Sequence, residues 1–347
     1  MPESERFNWD LMLAPPGRPA ILRKIGEYHS RVTGARARAK HESAEAMRER
    51  MSSLKITKLL EPYRIENGQS FRLTQVDPAD TSGLSLDHEA AGGLLKECVE
   101  RLTELQERLY AERRWAVLVI FQAMDAAGKD SIIKHVMSGI NPQGCRVYSF
   151  RKPSEDELDH DYMWRYLSRI PERGHIGIFN RSYYEEVLVV RVERGLLSRE
   201  HIPGALVGRN IWRQRYEDIV GTERYFARNG IAVCKFFLHV SKAEQRRRFV
   251  DRLNQPDKHW KFSPADLASR AHWDGYMRAY EEMIQGTATR ESPWHVVPAD
   301  NKWFTRLVVA AVLFEKLKSL DPHYPEPSAE LKRQIKAARA ALAHEKA

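Results

Sequence analysis

The sequence predicts an α/β protein three layers deep, with a parallel sheet of about five strands covered on both faces by helices. Three observations carry that prediction. Between residues 115 and 298, short apolar runs alternate with stretches of helical periodicity, the rhythm that builds parallel sheets. One of those runs, 115–121, passes through small residues into Gly128-Lys129, a strand-turn-helix signature. A hydrophobic fraction of 42% over 347 residues supports a buried core, and the length allows one large or two ordinary domains.

Residues 1–56 are rich in Arg, Ala and Glu and carry Pro15, Pro16 and Pro19, which predicts a loosely helical or disordered appendage. From 56 to 86, turn signals at Asn67-Gly68 and Asp77-Pro78 interrupt short polar and apolar pieces, predicting an irregular or hairpin segment. Leu94, Leu95, Val99, Leu102, Leu105 and Leu109 recur at helical spacing, so 87–113 reads as a long amphipathic helix. Strands are expected at 115–121, 145–150, 175–180, 231–240 and 294–298. Helices are expected at 128–137, 154–168, 182–194, 209–228, 242–253, 264–284 and 303–320. A helical tail spans 326–347, after the prolines at 322–327, leaving one catalytic domain at 57–325. No internal repeat is visible.

The excess of 56 Lys and Arg over 47 Asp and Glu, a net charge of +9, is modest and favours anionic partners without choosing among them. The longest apolar runs, 117–121 and 307–314, fall far short of the ~18–20 residues that cross a bilayer, so no membrane helix is expected. The acidic start leads into no apolar core of roughly 7–15 residues, so a secretory signal is not expected and the cytoplasm is the default. Cys98, Cys145 and Cys234 lie far apart with no CxxC pair, predicting reduced thiols rather than a zinc site or a disulfide.

The chemistry concentrates around 122–134. Backbone amides at a helix start face an anion, and a lysine there reaches terminal phosphates. Ala126, Ala127, Gly128, Lys129, Asp130, Ser131 and Lys134 form the expected phosphate-binding set. The match to GxxxxGK[ST] is imperfect, because Ala123 replaces the first glycine and Asp130 the hydroxyl residue; Asp125 and Asp130 supply hard oxygen ligands instead. The strand at 175–180 ends in Asn180-Arg181-Ser182-Tyr183-Tyr184-Glu185-Glu186, polar groups at a carboxyl end where open α/β sheets bind ligands. Asn180 stands where an aspartate is usual and contributes no charge. Farther on, Arg246, Arg247, Arg248, Arg252, Lys258 and Lys261 suggest a basic lid over 244–265. Asp159-His160-Asp161 reads as an exposed triplet, and His239 as structural.

In order along the chain, Ala123-Met-Asp-Ala-Ala-Gly-Lys-Asp130, Asn141-Pro-Gln-Gly144, Lys152-Pro-Ser-Glu-Asp-Glu-Leu158, Asp161-Tyr-Met-Trp-Arg165 and Asn180-Arg-Ser-Tyr-Tyr-Glu-Glu186 resemble family 2 polyphosphate kinases. Lys235-Phe-Phe-Leu-His239, Lys258-His-Trp-Lys-Phe262 and Trp273-Asp-Gly-Tyr276 continue the resemblance, which covers roughly residues 60–324. It implies a P-loop kinase fold similar to thymidylate kinase, with polyphosphate as phosphoryl donor, a nucleotide as acceptor, and Mg2+ (or Mn2+) as cofactor. Asn180 and the Asn-Arg-Ser-x-Tyr-Glu form resemble the third subgroup, which phosphorylates both AMP and ADP.

Carried over by resemblance, Lys129 would neutralise the transferred phosphate, Asp125 would hold the metal and orient the acceptor, and Arg181 would grip phosphate as a guanidinium fork. Glu185 would face the nucleobase, with Asn180, Arg181 and Tyr184 completing the nucleotide site. Arg248, Arg252, Lys258 and Lys261 would belong to the lid or the polyphosphate channel. Trp164 or Tyr184 could stack on a base. A homo-oligomer such as a tetramer is implied. Two other readings stand beside this one: an ATP-dependent nucleoside or nucleotide kinase of the same fold, and a basic nucleic-acid-binding protein, although no nucleic-acid-binding signature is visible.

Overall fold

The chain is described by a computed structural model over residues 58–84, 88–193 and 195–345. The appendage expected at 1–56 lies outside the described residues. Residues Leu59–Ala347 pack as one unit.

The labelled elements are β1 (Arg64–Ile65), α1 (His88–Glu112), β2 (Ala116–Gln122), α2 (Lys129–Val136), β3 (Cys145–Ser149), β4 (Ile176–Asn180), α3 (Ile211–Arg228) and β5 (Ile231–His239). They continue with α4 (Lys242–Leu253), α5 (Pro264–Ala271), α6 (Trp273–Thr287), β6 (Trp294–Pro298), α7 (Lys302–Ser319) and α8 (Ala329–His344).

The five predicted strands are β2 to β6, and together they form a parallel array. The strand count needs correction, because the sheet has six strands in the order β1-β6-β5-β2-β4-β3. The sixth, β1, pairs antiparallel with β6 through Arg64 opposite His295 and Ile65 opposite Trp294. Two residues are too few to show an alternating pattern, and so β1 disappears into the irregular 56–86 segment.

Every residue of β2 is buried, as expected of a central strand flanked by β4 and β5. From β2 the chain passes to the β3–β4 side, and from β4 it crosses back to β5. The carboxyl ends of β2 and β4 therefore border the crevice where strand order reverses, the usual ligand position in open α/β sheets. Helix α7 is buried along most of its length, from Phe304 to Leu317, and packs against α1. That burial accounts for the apolar run at 307–314. No buried residue anchors α8.

Three expected helices are broken. The 154–168 stretch forms two single turns, Glu155–Leu158 and Trp164–Leu167. Ser154 and Glu157 make a capping box for the first turn, while Asp161 Oδ1 accepts from Met163 N at 2.9 Å ahead of the second. Such side-chain caps compete with a continuous helix. Ser182 Oγ likewise accepts from Tyr184 N, turning 182–194 into the 3-10 segment Tyr183–Val187 and the short turn Val189–Val192. His272 leaves helical geometry between α5 and α6. Cys98, Cys145 and Cys234 are free thiols in this structure. No described helix is long and apolar enough to cross a membrane.

Candidate functional site

The turn between β2 and α2 reverses direction at two left-handed residues, Ala126 (φ +62°) and Gly128 (φ +111°). At Gly128 the backbone, not crowding, requires glycine: an added Cβ would meet only Arg248 Nη1 at 3.7 Å. The turn's carbonyls are all held from within the protein. Lys129 Nζ donates to Ala123 O at 2.8 Å and to Met124 O at 3.4 Å. From α4, Gln245 Nε2 donates to Asp125 O at 2.9 Å, and Arg248 Nη1 donates to Ala126 O at 3.2 Å and Ala127 O at 2.7 Å. With five successive acceptors occupied, the first amides of α2, which lack intrahelical acceptors, are the groups left for an anion.

A cleft of about 1920 Å³ opens in front of this turn. Lys129 is buried at its base, and burial pulls its ammonium below the ordinary value, with the Arg181 charge adding to that pull and Asp125 and Glu185 opposing it. Arg181 leaves β4 in a left-handed conformation (φ +68°), its amide bonded to Phe121 O at 3.1 Å. Its Nη2 donates to Asp125 Oδ1 at 2.6 Å and its Nη1 to Glu185 Oε2 at 3.5 Å. The Glu185 carboxylate lifts the Arg181 proton affinity further. Burial raises Glu185 itself, against the opposing charges of Arg181 and Lys129. Gln122 supports this glutamate: with its amide nitrogen turned toward Glu185, it donates to Oε1 at 2.8 Å and accepts from Ser182 N at 3.1 Å.

Asn180 Nδ2 donates to Asp130 Oδ1 at 2.8 Å, and Lys261 approaches Asp130 Oδ2 at 3.7 Å. Ser131 Oγ accepts from Arg306 at 3.0 Å, and Lys134 lies exposed on the cleft wall. The structure thus brings together Asp125, Lys129, Asp130, Asn180, Arg181 and Glu185. Arg252, Lys258 and Lys261 line the cleft mouth, where Arg252 pairs with Asp266 at 3.1 Å.

Two expectations need correction. Arg248 is not a mobile basic group of the lid. It is 8% exposed, and besides the turn it holds Ala299 O, Asp300 O and Glu244, which pins α4 to the sheet. Tyr184 offers no ring to a base, because it is fully buried against Trp294, with its hydroxyl donating to Glu223 Oε1 at 2.7 Å and accepting from Lys235 Nζ at 3.0 Å. Trp164 has one face covered by His160, with centroids 4.0 Å apart. The Asp159-His160-Asp161 triplet is exposed as expected. His239 is buried at the end of β5, and burial pulls its imidazole down to about 4.

Sequence reasoning missed Gln245, although Gln245, Arg248 and Arg252 share one helix face by their spacing. It also assigned no role to Glu186, which lines the cleft beside the Tyr166 hydroxyl and the buried Arg215. Burial, reinforced by the nearby Glu200 carboxylate, pushes Glu186 up to about 8. Among the described residues no group of three His, Cys, Asp or Glu side chains forms a ready metal cage.

A family model described as Polyphosphate kinase 2 (PPK2) matches residues 85–325. The "ADP-polyphosphate phosphotransferase" of Rhodopseudomonas palustris is 49% identical over 278 residues, 79% of this chain and 94% of that protein. The "AMP/ADP-polyphosphate phosphotransferase" of Meiothermus ruber is 44% identical over 268 residues, 77% of this chain and 96% of that protein. Among solved structures, polyphosphate kinase 2 from Arthrobacter aurescens TC1 superposes with a TM-score of 0.72 at 37% identity, covering 81% of this chain and 95% of that one.

Proposed function

This chain belongs to the polyphosphate kinase 2 family, and on that premise we propose that it transfers the terminal phosphoryl group of inorganic polyphosphate to ADP and AMP, making ATP and ADP. The observation that carries the reading is the phosphate turn, whose five carbonyls are held from behind while Lys129, Arg181 and Asp125 converge at its front.

An ionised oxygen of the acceptor phosphate attacks the terminal phosphorus of polyphosphate. The bond from that phosphorus to the bridging oxygen breaks, and the shortened chain leaves with the electron pair. No base is needed, since the attacking oxygen carries no proton at neutral pH, and no covalent enzyme intermediate forms. What the protein supplies is position and positive charge around a loose transition state. Lys129 neutralises the transferring group from the floor of the cleft, Arg181 grips it from the end of β4, and the α2 amides fix its oxygens.

Asp125 suits a divalent cation such as Mg2+: among the described residues only its Oδ1 is engaged, and Mg2+ takes one or two carboxylates plus substrate phosphates rather than an all-protein cage. Bound there, the ion would neutralise phosphate charge. Asp130 stands one helical residue beyond Lys129 as a further oxygen donor. Arg252, Lys258 and Lys261 act as the cationic lid, now confined to the end of α4 and the Pro256–Lys261 turn because Arg248 is fixed. Glu185 accepts from the adenine amino group through Oε2, whose bond to Arg181 is long enough to yield. A kinase domain at 57–325 with an α8 tail, homo-oligomeric assembly and a cytoplasmic setting complete the proposal.

The test is chemical. Purified protein given ADP, Mg2+ and polyphosphate, without ATP, should form ATP measurable by chromatography; no ATP sinks the reading and revives an ATP-dependent kinase. The same assay from AMP yields ADP plus ATP if both steps are catalysed, and ADP alone if only the first is.

A further inference from the structure

Lys302 opens α7 on the rim of the cleft, next to Gly128 and Ser131 of the phosphate turn. Its ammonium has no hydrogen-bond or ion-pair partner among the described residues. The charges around it are Arg248, Arg247 and Arg306, against the single carboxylate of Glu244. That carboxylate is already committed: it accepts from Arg247 Nε at 2.7 Å and Nη2 at 2.6 Å, and from Arg248 Nε at 2.7 Å. The adjacent Asp300 accepts from Ser241 N at 2.8 Å through Oδ1. Arg306 donates only to the Ser131 hydroxyl and has no carboxylate partner among the described residues.

Burial and the three guanidinium charges together pull the Lys302 ammonium below its ordinary value. A solvated basic face would place such side chains apart or interleave acids. Here like charges converge from α4 and α7 on one edge of a phosphate turn, an arrangement that a bound polyanion would relieve.

We propose that Lys302 and Arg306, continued by Lys134 on α2, form an exit track that holds the non-reacting end of a long polyphosphate donor on the α2–α7 side of the turn. The inference rests on the reading of the chain as a polyphosphate kinase and deepens it. A long donor has many phosphates beyond the one being transferred, each carrying about one negative charge. The lid cations already have partners, Lys261 with Asp130, Arg252 with Asp266 and Lys258 with Gln255. Lys302, by contrast, has no such partner among the described residues. Its contribution grows with chain length, because the track continues from Lys302 through Arg306 and Lys134 and a longer donor occupies more of it.

The experiment measures ATP formation from ADP with long-chain polyphosphate and, separately, with tetrapolyphosphate, for wild type, Lys302→Ala, Lys302→Arg and the Lys302→Ala/Arg306→Ala pair. Lys302 is exposed, so the single variants test the idea without threatening the fold. The track predicts that KM for the long donor rises about tenfold in the double variant while KM for the short donor moves less than about twofold, the loss falling on KM rather than kcat. Lys302→Arg restores most of the difference. Binding of long-chain polyphosphate without nucleotide should also lose ~0.7 of its logarithmic salt slope for each cation removed. Equal KM shifts for both donors, or an unchanged KM for the long one, overturn the track while leaving the kinase reading intact. A wild-type protein inactive with both donors overturns the kinase reading and the track with it.

Discussion

Arg181 donates to Asp125 across the crevice at 2.6 Å, so the residue that ends β4 is fastened to the turn that follows β2. Both Arg181 and the Ala126 next to Asp125 hold left-handed backbones, which side chains other than glycine adopt only under constraint. The pair joins two strained loops into one surface, with the Lys129 ammonium beneath it.

Replacing Lys129 by Met keeps the buried volume and removes the charge. We expect kcat to fall by at least ~10²–10³, the usual effect of deleting one preorganised electrostatic contact, with little change in the unfolding temperature. Steady-state kinetics beside circular-dichroism melting checks both halves. Near-normal turnover would remove Lys129 from the mechanism.

Arg248→Ala leaves the carbonyls of Ala126, Ala127, Ala299 and Asp300 without their guanidinium. A loss of about 2–3 kcal/mol in unfolding free energy is expected, together with a raised KM for polyphosphate as the turn loosens. Denaturant titration and donor kinetics report the two effects separately. A variant as stable as wild type would contradict the clamp.

Glu186 predicts a pH dependence of stability. Its folded value of about 8 stands above the ordinary 4.5, so between these values the folded protein holds a proton that the unfolded chain has lost. The stabilisation from this group is therefore full below the unfolded value and drains away as pH rises toward 8, by at most ~1.4 kcal/mol per pH unit. Glu186→Gln should flatten that decline and be more stable than wild type near pH 8. Parallel unfolding curves for the two proteins across the window would refute the assignment.

Glu185→Ala should lower the preference for ADP over GDP, measured as a ratio of kcat/KM values, by roughly tenfold. Because Glu185 also touches Arg181, some loss of kcat with both acceptors accompanies it. An unchanged ratio with a lower kcat would make Glu185 a support for Arg181 instead of a reader of the base.

Lys235 and Glu223 form a fully buried ion pair at 2.7 Å, and Thr287 O accepts from the same ammonium at 2.9 Å. Tyr183 and Tyr184 both donate to Glu223, so the pair underpins the segment that carries Glu185. Lys235→Met alone should cost about 3–5 kcal/mol by stranding the carboxylate, and adding Glu223→Gln should recover part of that loss. Additive losses in the double variant would show that the two side chains act independently.

How far these features were legible in sequence follows from the range of the forces involved. β2 was visible because every one of its own residues is buried, which leaves it apolar along almost its whole length. The turn was visible because a small-residue run before Gly128-Lys129 is a local signature. Helix breaks at Asp161 and His272 were hidden, since local side-chain hydrogen bonds and dihedrals override periodicity without any Gly or Pro to mark them. The place of Arg248 could not be read from a run of arginines, because its acceptors come from 126–127 and 299–300. Tyr184 looked like a base-stacking residue until Glu223 and Lys235, distant in the chain, claimed its hydroxyl.

Helix α4 touches the phosphate turn through Gln245 and Arg248, and one turn later, through Arg252, it touches Lys261 O and Asp266. Seven residues of helix separate the first and last of these contacts, a rigid span of about 10 Å. The helix thus behaves as a strut: a displacement at the floor of the cleft is carried to its rim without passing through the sheet. Loosening either end slackens the other, so floor and rim cannot be tuned independently by substitutions within α4.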